Sequence, residues 1–134
     1  MYTFNTTPRL VIGANKLQHL GALLSDLGIK NPLIVTGPNL AKTKTIIEAQ
    51  KWADTANVFC DLVQDPTTDN VLSCVAYGLN KQVDGVIGIG GGSSLDVAKV
   101  ASVLLKQETE LDDMWGVNNI HSSRLPLILI PTTA

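Results

Sequence analysis

The apolar positions of this chain change period several times along its length. In "ANKLQHLGALLSDLG", Leu17, Leu20, Leu24 and Leu27 recur at helical spacing, and Gly28 is a natural stop. His19 falls off that stripe and reads as a surface residue. Upstream, "YTFNTTPRLVIG" alternates apolar and polar residues and halts at Gly13. It predicts a short strand or hairpin at a sheet edge, with Pro8 barred from a central ladder. "NPLIVTG" (31–37) is a compact apolar strand ending in Gly37. A second helix is expected at about 40–54, offering Leu40, Ile46, Ile47 and Trp52 to a core. "ANVFCDLV" reads as a strand ending at "QDPTT". Thr67 or Thr68 then caps a third helix carrying Val71, Cys74, Val75 and Leu79 at three- and four-residue intervals.

"VDGVIGIG" (83–90) is apolar without alternation, as expected of a strand covered on both faces. A helix at about 94–106, starting near Ser93 or Ser94, carries Leu95, Ala98, Ala101, Leu104 and Leu105. A looser stretch follows, and "LPLILIP" (125–131) is the last strand. Strands alternating with helices predict an α/β fold: an open parallel sheet, helices on both faces, right-handed crossovers. The whole chain reads as one domain.

Composition narrows the functional classes. Of 134 residues, 45% are hydrophobic and 16% charged, which argues against disorder. The formal net charge is −2 and no dense basic run exists, so nucleic acid is not an expected partner. No apolar run approaches the roughly 20 residues of a membrane span, and the N-terminus lacks the pattern of a secretory signal. Cys60 and Cys74 have neither metal-ligand nor C-x-x-C spacing and suggest free thiols; Cys74, on the helical stripe, reads as a small buried hydrophobe. A cytoplasmic location is expected.

The densest chemical signal is "GIGGGSSLDVAK", residues 88–99, where a strand hands over to a helix. In open parallel sheets, ligands sit beyond the carboxyl ends of the strands. A helix N-terminus offers unpaired N–H groups and partial positive charge, and glycines keep Cβ atoms out of the way. Two readings follow, a phosphate seat and a purely structural turn. The stretch does not spell G-x-G-x-x-G, since Ser93 stands at the third glycine position, and no Walker A sequence exists. Ser93 and Asp96 have the S-x-x-D spacing of a capping box, in which Asp96 steadies the turn. Near a pyrophosphate that carboxylate is repulsive unless hydroxyls or N–H groups donate to it. Gly37-Pro38-Asn39, Asp65-Pro66-Thr67 and Thr132-Thr133 end other strands at the same edge. They are placed to line a common cleft.

These residues resemble one family. "GGGSSLDVAK" is similar to the G-G-G-S-x-x-D-x-A-K signature of iron-containing (group III) alcohol dehydrogenases. "PLILIPTTA" resembles the start of that family's P-T-T-A-G-T-G-S-E segment. "LIVTGPNL" resembles its second strand, and "DPTTDNV" its x-P-T-x-x-x-V turn. The resemblance runs along the whole chain and covers roughly the first third of a typical member. It implies a Rossmann-like, NAD(P)-binding N-terminal domain of a metal-dependent alcohol dehydrogenase. Gly91, Gly92 and Ser93 would meet the pyrophosphate, with Asp96 in the same turn. Thr132 and Thr133 would line the cleft towards ribose and nicotinamide, and Asp65 would lie near the adenosine end.

Two departures matter. The family usually has an acid where this chain has Gly37. An acid hydrogen-bonds the adenosine 2′-hydroxyl and repels a 2′-phosphate, so glycine favours NADP over NAD, with Lys42 and Lys44 as nearby charge. The family's iron ligands, an Asp and three His, belong to a helical C-terminal domain beyond Ala134. His19 and His121 do not match them, so no bound iron and no substantial turnover are expected of this chain by itself. The alternatives are a stand-alone nucleotide-binding module, a structural module self-associating through the face that domain would cover, and a fragment of a related glycerol dehydrogenase.

Overall fold

A computed structural model describes residues 9–10, 17–63, 65–113 and 124–132. Five strands form one sheet: β1 (Arg9–Leu10), β2 (Pro32–Val35), β3 (Val58–Phe59), β4 (Gly85–Gly90) and β5 (Leu127–Pro131). Their order is β1-β5-β4-β2-β3 and every pair is parallel. The helices are α1 (Leu20–Leu27), α2 (Lys44–Ala53), α3 (Thr68–Lys81) and α4 (Gly92–Asp113).

The central strands are buried along both faces, and their side chains sort by parity. Leu33, Val35, Val86, Leu127 and Leu129 pack with Cys74 and Val75 of α3 and with Val97, Ala98, Ala101 and Leu105 of α4. Ile34, Ile87, Ile89, Ile128 and Ile130 pack with Leu20 and Leu24 of α1 and with Ile46, Ala49 and Ala53 of α2. One face of the sheet is thus leucine- and valine-rich and the other isoleucine-rich. Fully burying each such side chain contributes about 1.5–3 kcal/mol.

Handedness explains which helix goes where. The β1–β2 and β2–β3 crossovers travel one way across the sheet, so α1 and α2 share a face. The β3–β4 and β4–β5 crossovers travel the other way, so α3 and α4 take the opposite face. The direction reverses between β2 and β4, which makes the gap beyond their carboxyl ends the topological switch point.

Several boundaries differ from the sequence expectation. The second helix divides into a 3-10 turn, Leu40–Lys42, and α2. The Gly37 carbonyl accepts from Ala41 N–H at 3.0 Å, which turns the chain before α2 can start. Trp52 is not a core residue; it stays part-exposed, its indole N–H donating to Glu48 while Lys51 lies over its ring. The strand expected over "ANVFCDLV" shrinks to Val58–Phe59, because only Ile34 and Val35 present it with a paired neighbour. Helix α4 starts at Gly92, ahead of Ser93, and runs on to Asp113. Gly28 ends α1 at φ 72°, as expected, whereas Asp54 and Gln82 end α2 and α3 in the same left-handed conformation. Most of the N-terminal strand or hairpin, His121 and Thr133 lie outside the described residues.

Candidate functional site

Beyond the carboxyl ends of β2 and β4 the surface opens into a cleft with two adjoining lobes. One, of about 460 Å³, takes in Leu62, Val63 and Ser93. The other, of about 510 Å³, takes in Leu40, Thr43, Thr45, Gly90 and Thr132. Gly37, Pro38, Asn39, Gly91 and Ser94 border both. The chain reversal at the switch point makes this opening: the loops after β2 and β4 leave towards opposite faces and cannot fill the gap.

The glycines of the β4–α4 turn are not equivalent. Gly90 has φ 140°, a backbone conformation that side chains rarely adopt, and a Cβ there would lie 3.0 Å from Ser94 Oγ. Gly90 is therefore required by the turn. Gly91 and Gly92 have no positive φ, and a Cβ on either meets nothing within 4 Å. The fold has room for side chains at both positions. What their absence preserves is access from the cleft to the backbone. Gly88 has a third role: a Cβ there would lie 2.7 Å from that of Ala98, so this glycine lets α4 settle on the sheet.

The first turn of α4 is correspondingly open. Leu95 N–H donates to Gly91 O at 3.1 Å, which makes Gly91 the cap residue, one without a side chain. Ser93 thus lies inside the first turn and not at the cap position that the expected Ser93–Asp96 capping box assigns to it. Asp96 is exposed and pairs with Lys99 at 3.9 Å, away from the cleft. Of the remaining candidates, Gly37, Gly91, Gly92, Ser93 and Thr132 come together at the cleft, and Asp65 is exposed outside it. Thr132 is held in place by its N–H donating to Gly90 O at 3.0 Å.

Sequence reasoning did not single out Ser94, Leu62, Val63, Thr43 or Thr45. Ser94 is buried between the two loops, its Oγ 3.9 Å from where a Cβ on Gly37 would stand. Leu62 and Val63 are placed by Asn70, whose side chain accepts from Val63 N–H at 3.0 Å and donates to Asp61 O at 2.8 Å. Asn70 three residues after a capping Thr was the available signal, and it belonged to no motif. Among the described residues, none that lines the two lobes carries a charged side chain. Attraction for an anion here rests on backbone N–H groups, hydroxyls and the α4 dipole.

Cys74 is fully buried among apolar side chains, and burial pushes its thiol up to about 12. It is a packing residue, as expected. Among the described residues, no helix is long and apolar enough to cross a membrane.

A family model described as iron-containing alcohol dehydrogenase matches residues 7–134. This chain belongs to the iron-containing alcohol dehydrogenase family. Sulfoacetaldehyde reductase of Bilophila wadsworthia is 33% identical over 96% of this chain and 34% of its own length. The NAD-dependent methanol dehydrogenase of Bacillus methanolicus is 31% identical over 100% of this chain and 36% of its own. The chain thus spans about a third of the length of these curated relatives. The crystal structure of an iron-containing alcohol dehydrogenase superposes with TM-score 0.75 at 30% identity, covering 99% of this chain and 38% of that one. Sulfoacetaldehyde reductase of Bifidobacterium kashiwanohense, solved in complex with NAD+, superposes with TM-score 0.79 over 99% of this chain and 36% of its own. At 20% identity it bears on the fold alone. The open parallel sheet expected from the alternation of elements, and the Rossmann-like fold implied by the family resemblance, are the architecture of these neighbours.

Proposed function

We propose that this chain is the nicotinamide-dinucleotide-binding part of an iron-containing alcohol dehydrogenase, acting in hydride transfer between an alcohol and the coenzyme. The observation that carries this reading is the pair Gly91 and Gly92. They leave the backbone of the β4–α4 turn exposed at the switch point although the fold has space for side chains there. The coenzyme's pyrophosphate lies over the first turn of α4. The adenosine half extends towards Leu62 and Val63, and the nicotinamide half towards Thr132 and, by the family resemblance, Thr133. By the family resemblance Asp65 stands near the adenosine end, and Asp96 steadies the turn that meets the pyrophosphate. The NAD dependence of the Bacillus methanolicus relative supports the coenzyme class.

Within this reading NADP is the preferred coenzyme. A Cβ on Gly37 would have only Ser94 Oγ nearby, so there is room where an acid would repel a 2′-phosphate. Lys42, at the end of the adjoining turn, and Lys44, at the start of α2, are exposed, and their neighbours Thr43 and Thr45 line the lobe. In the reaction, this chain's part is to bind the coenzyme and orient its ring. Iron would polarise the alcohol oxygen as a Lewis acid. Among the described residues no group of three or more His, Cys, Asp or Glu converges, so they do not fit the metal.

Calorimetric titration of NADPH and NADH into the 134-residue chain tests both levels. Tighter NADPH binding is expected, and Gly37→Asp should reverse the order. Clearly tighter NADH binding overturns the preference, and binding of neither overturns the function.

A further inference from the structure

Among the described residues, the Thr36 hydroxyl is the buried side-chain polar group without a hydrogen-bond partner. Thr36 is fully buried and stands between the end of β2 and Gly37, the first residue of the cleft wall. Its backbone is already used, with N–H donating to Phe59 O at 3.1 Å. Strand parity puts its side chain on the isoleucine face with Ile34. Leu40, from the turn that follows, packs against that same cluster. The hydroxyl is therefore on the same face of the sheet as the Gly37–Thr43 turn, which walls the second lobe.

An unpartnered buried hydroxyl costs about 1–3 kcal/mol, and valine has the same shape without that cost. The turn above is bonded to itself instead. Thr43 Oγ1 donates to Leu40 O at 2.6 Å, and Ala41 N–H donates to Gly37 O. A ligand shifts such a segment only by interacting differently with its two arrangements.

We propose that Thr36 is a positioning residue for the coenzyme. When the lobe is filled, the Gly37–Thr43 turn reseats onto the Thr36 hydroxyl, which holds Gly37 and Asn39 against the ligand. This rests on the coenzyme reading above. The unbonded hydroxyl then lowers the stability of the first arrangement and favours the second.

The test compares Thr36→Val and Thr36→Ser with the unaltered chain by urea unfolding, calorimetric NADPH and NADH binding, and amide hydrogen exchange over residues 38–45. Thr36→Val should be as stable as the unaltered chain or more so. It should bind coenzyme roughly three- to tenfold more weakly, the worth of about one hydrogen bond, and lose coenzyme-induced protection over 38–45. Thr36→Ser should restore both. A purely structural hydroxyl would move stability and leave that protection intact. Unchanged affinity and protection in Thr36→Val overturn this proposal alone, as does a marked loss of stability. If the unaltered chain binds neither coenzyme, both proposals fall.

Discussion

The two ends of the sheet treat their polar groups in opposite ways. At the amino ends of the strands, side chains bond the loops to one another. Asp84 accepts from the N–H groups of Lys30 and Asn31 at 2.8 and 2.7 Å. Asn31 donates to the Lys81 and Gln82 carbonyls, where α3 ends. Asn57 donates to Asn31 Oδ1 and Pro32 O, and the Thr55 hydroxyl also donates to Pro32 O. This ties β2, β3 and β4 together across long stretches of chain. At the carboxyl ends, Gly91 caps α4 without a side chain, and Thr43 turns its hydroxyl back to Leu40 instead of capping α2. The Thr36 hydroxyl has no hydrogen-bond partner there. One edge is tied together by side chains; the other leaves open the cleft where the proposed coenzyme site stands. Polar groups left open at the second edge cost stability that the rest of the sheet must supply.

That contrast can be broken by substitution. The largest effect on stability is expected from Asp84→Ala, which deprives two backbone N–H groups of a charged acceptor. Urea unfolding should show a loss of about 2 kcal/mol, moderated by partial exposure. Coenzyme affinity, read far from the change, should stay within about twofold. Gly91→Ala should do the reverse: a loss of stability of no more than about 1 kcal/mol, since its Cβ meets nothing within 4 Å and only the cap preference for glycine is lost, but at least about tenfold weaker coenzyme binding, or about 1.4 kcal/mol, by calorimetry. Equal affinity in that variant would return the glycine run to a structural turn. The smallest effect is expected from Thr67→Ala. Thr67 accepts from Asn70 N–H at 3.2 Å and so closes the N-terminus of α3 at the same edge as the cleft. Its removal should cost about 1 kcal/mol of stability and weaken binding only as far as Asn70 loosens its hold on Val63.

Much of this was legible in the chain because the signals are local. Parallel-sheet strands without alternation, leucines at helical spacing, Gly28 and Thr67 each specify their element through their own few neighbours. The cleft was legible in part. Its glycines stand out by composition, but Ser94, Leu62 and Val63 do not, since ordinary residues become lining residues only through the path of the neighbouring strand. The early stop of β3 depends on how far β2 extends as a partner. That is a pairing property and leaves no mark in the run "ANVFCDLV".

The order of apolar runs by itself determined an α/β sheet with helices on both faces, because period and handedness are set by backbone geometry common to all chains. It also placed the glycine run where a strand meets a helix. Only the tertiary structure decided which glycines the fold needs. Gly90 is demanded by its φ and Gly88 by the approach of α4, whereas Gly91 and Gly92 are demanded by neither. The reason is that a missing Cβ has no meaning until the atoms it would have touched are in place, and those atoms come from β5 and the body of α4.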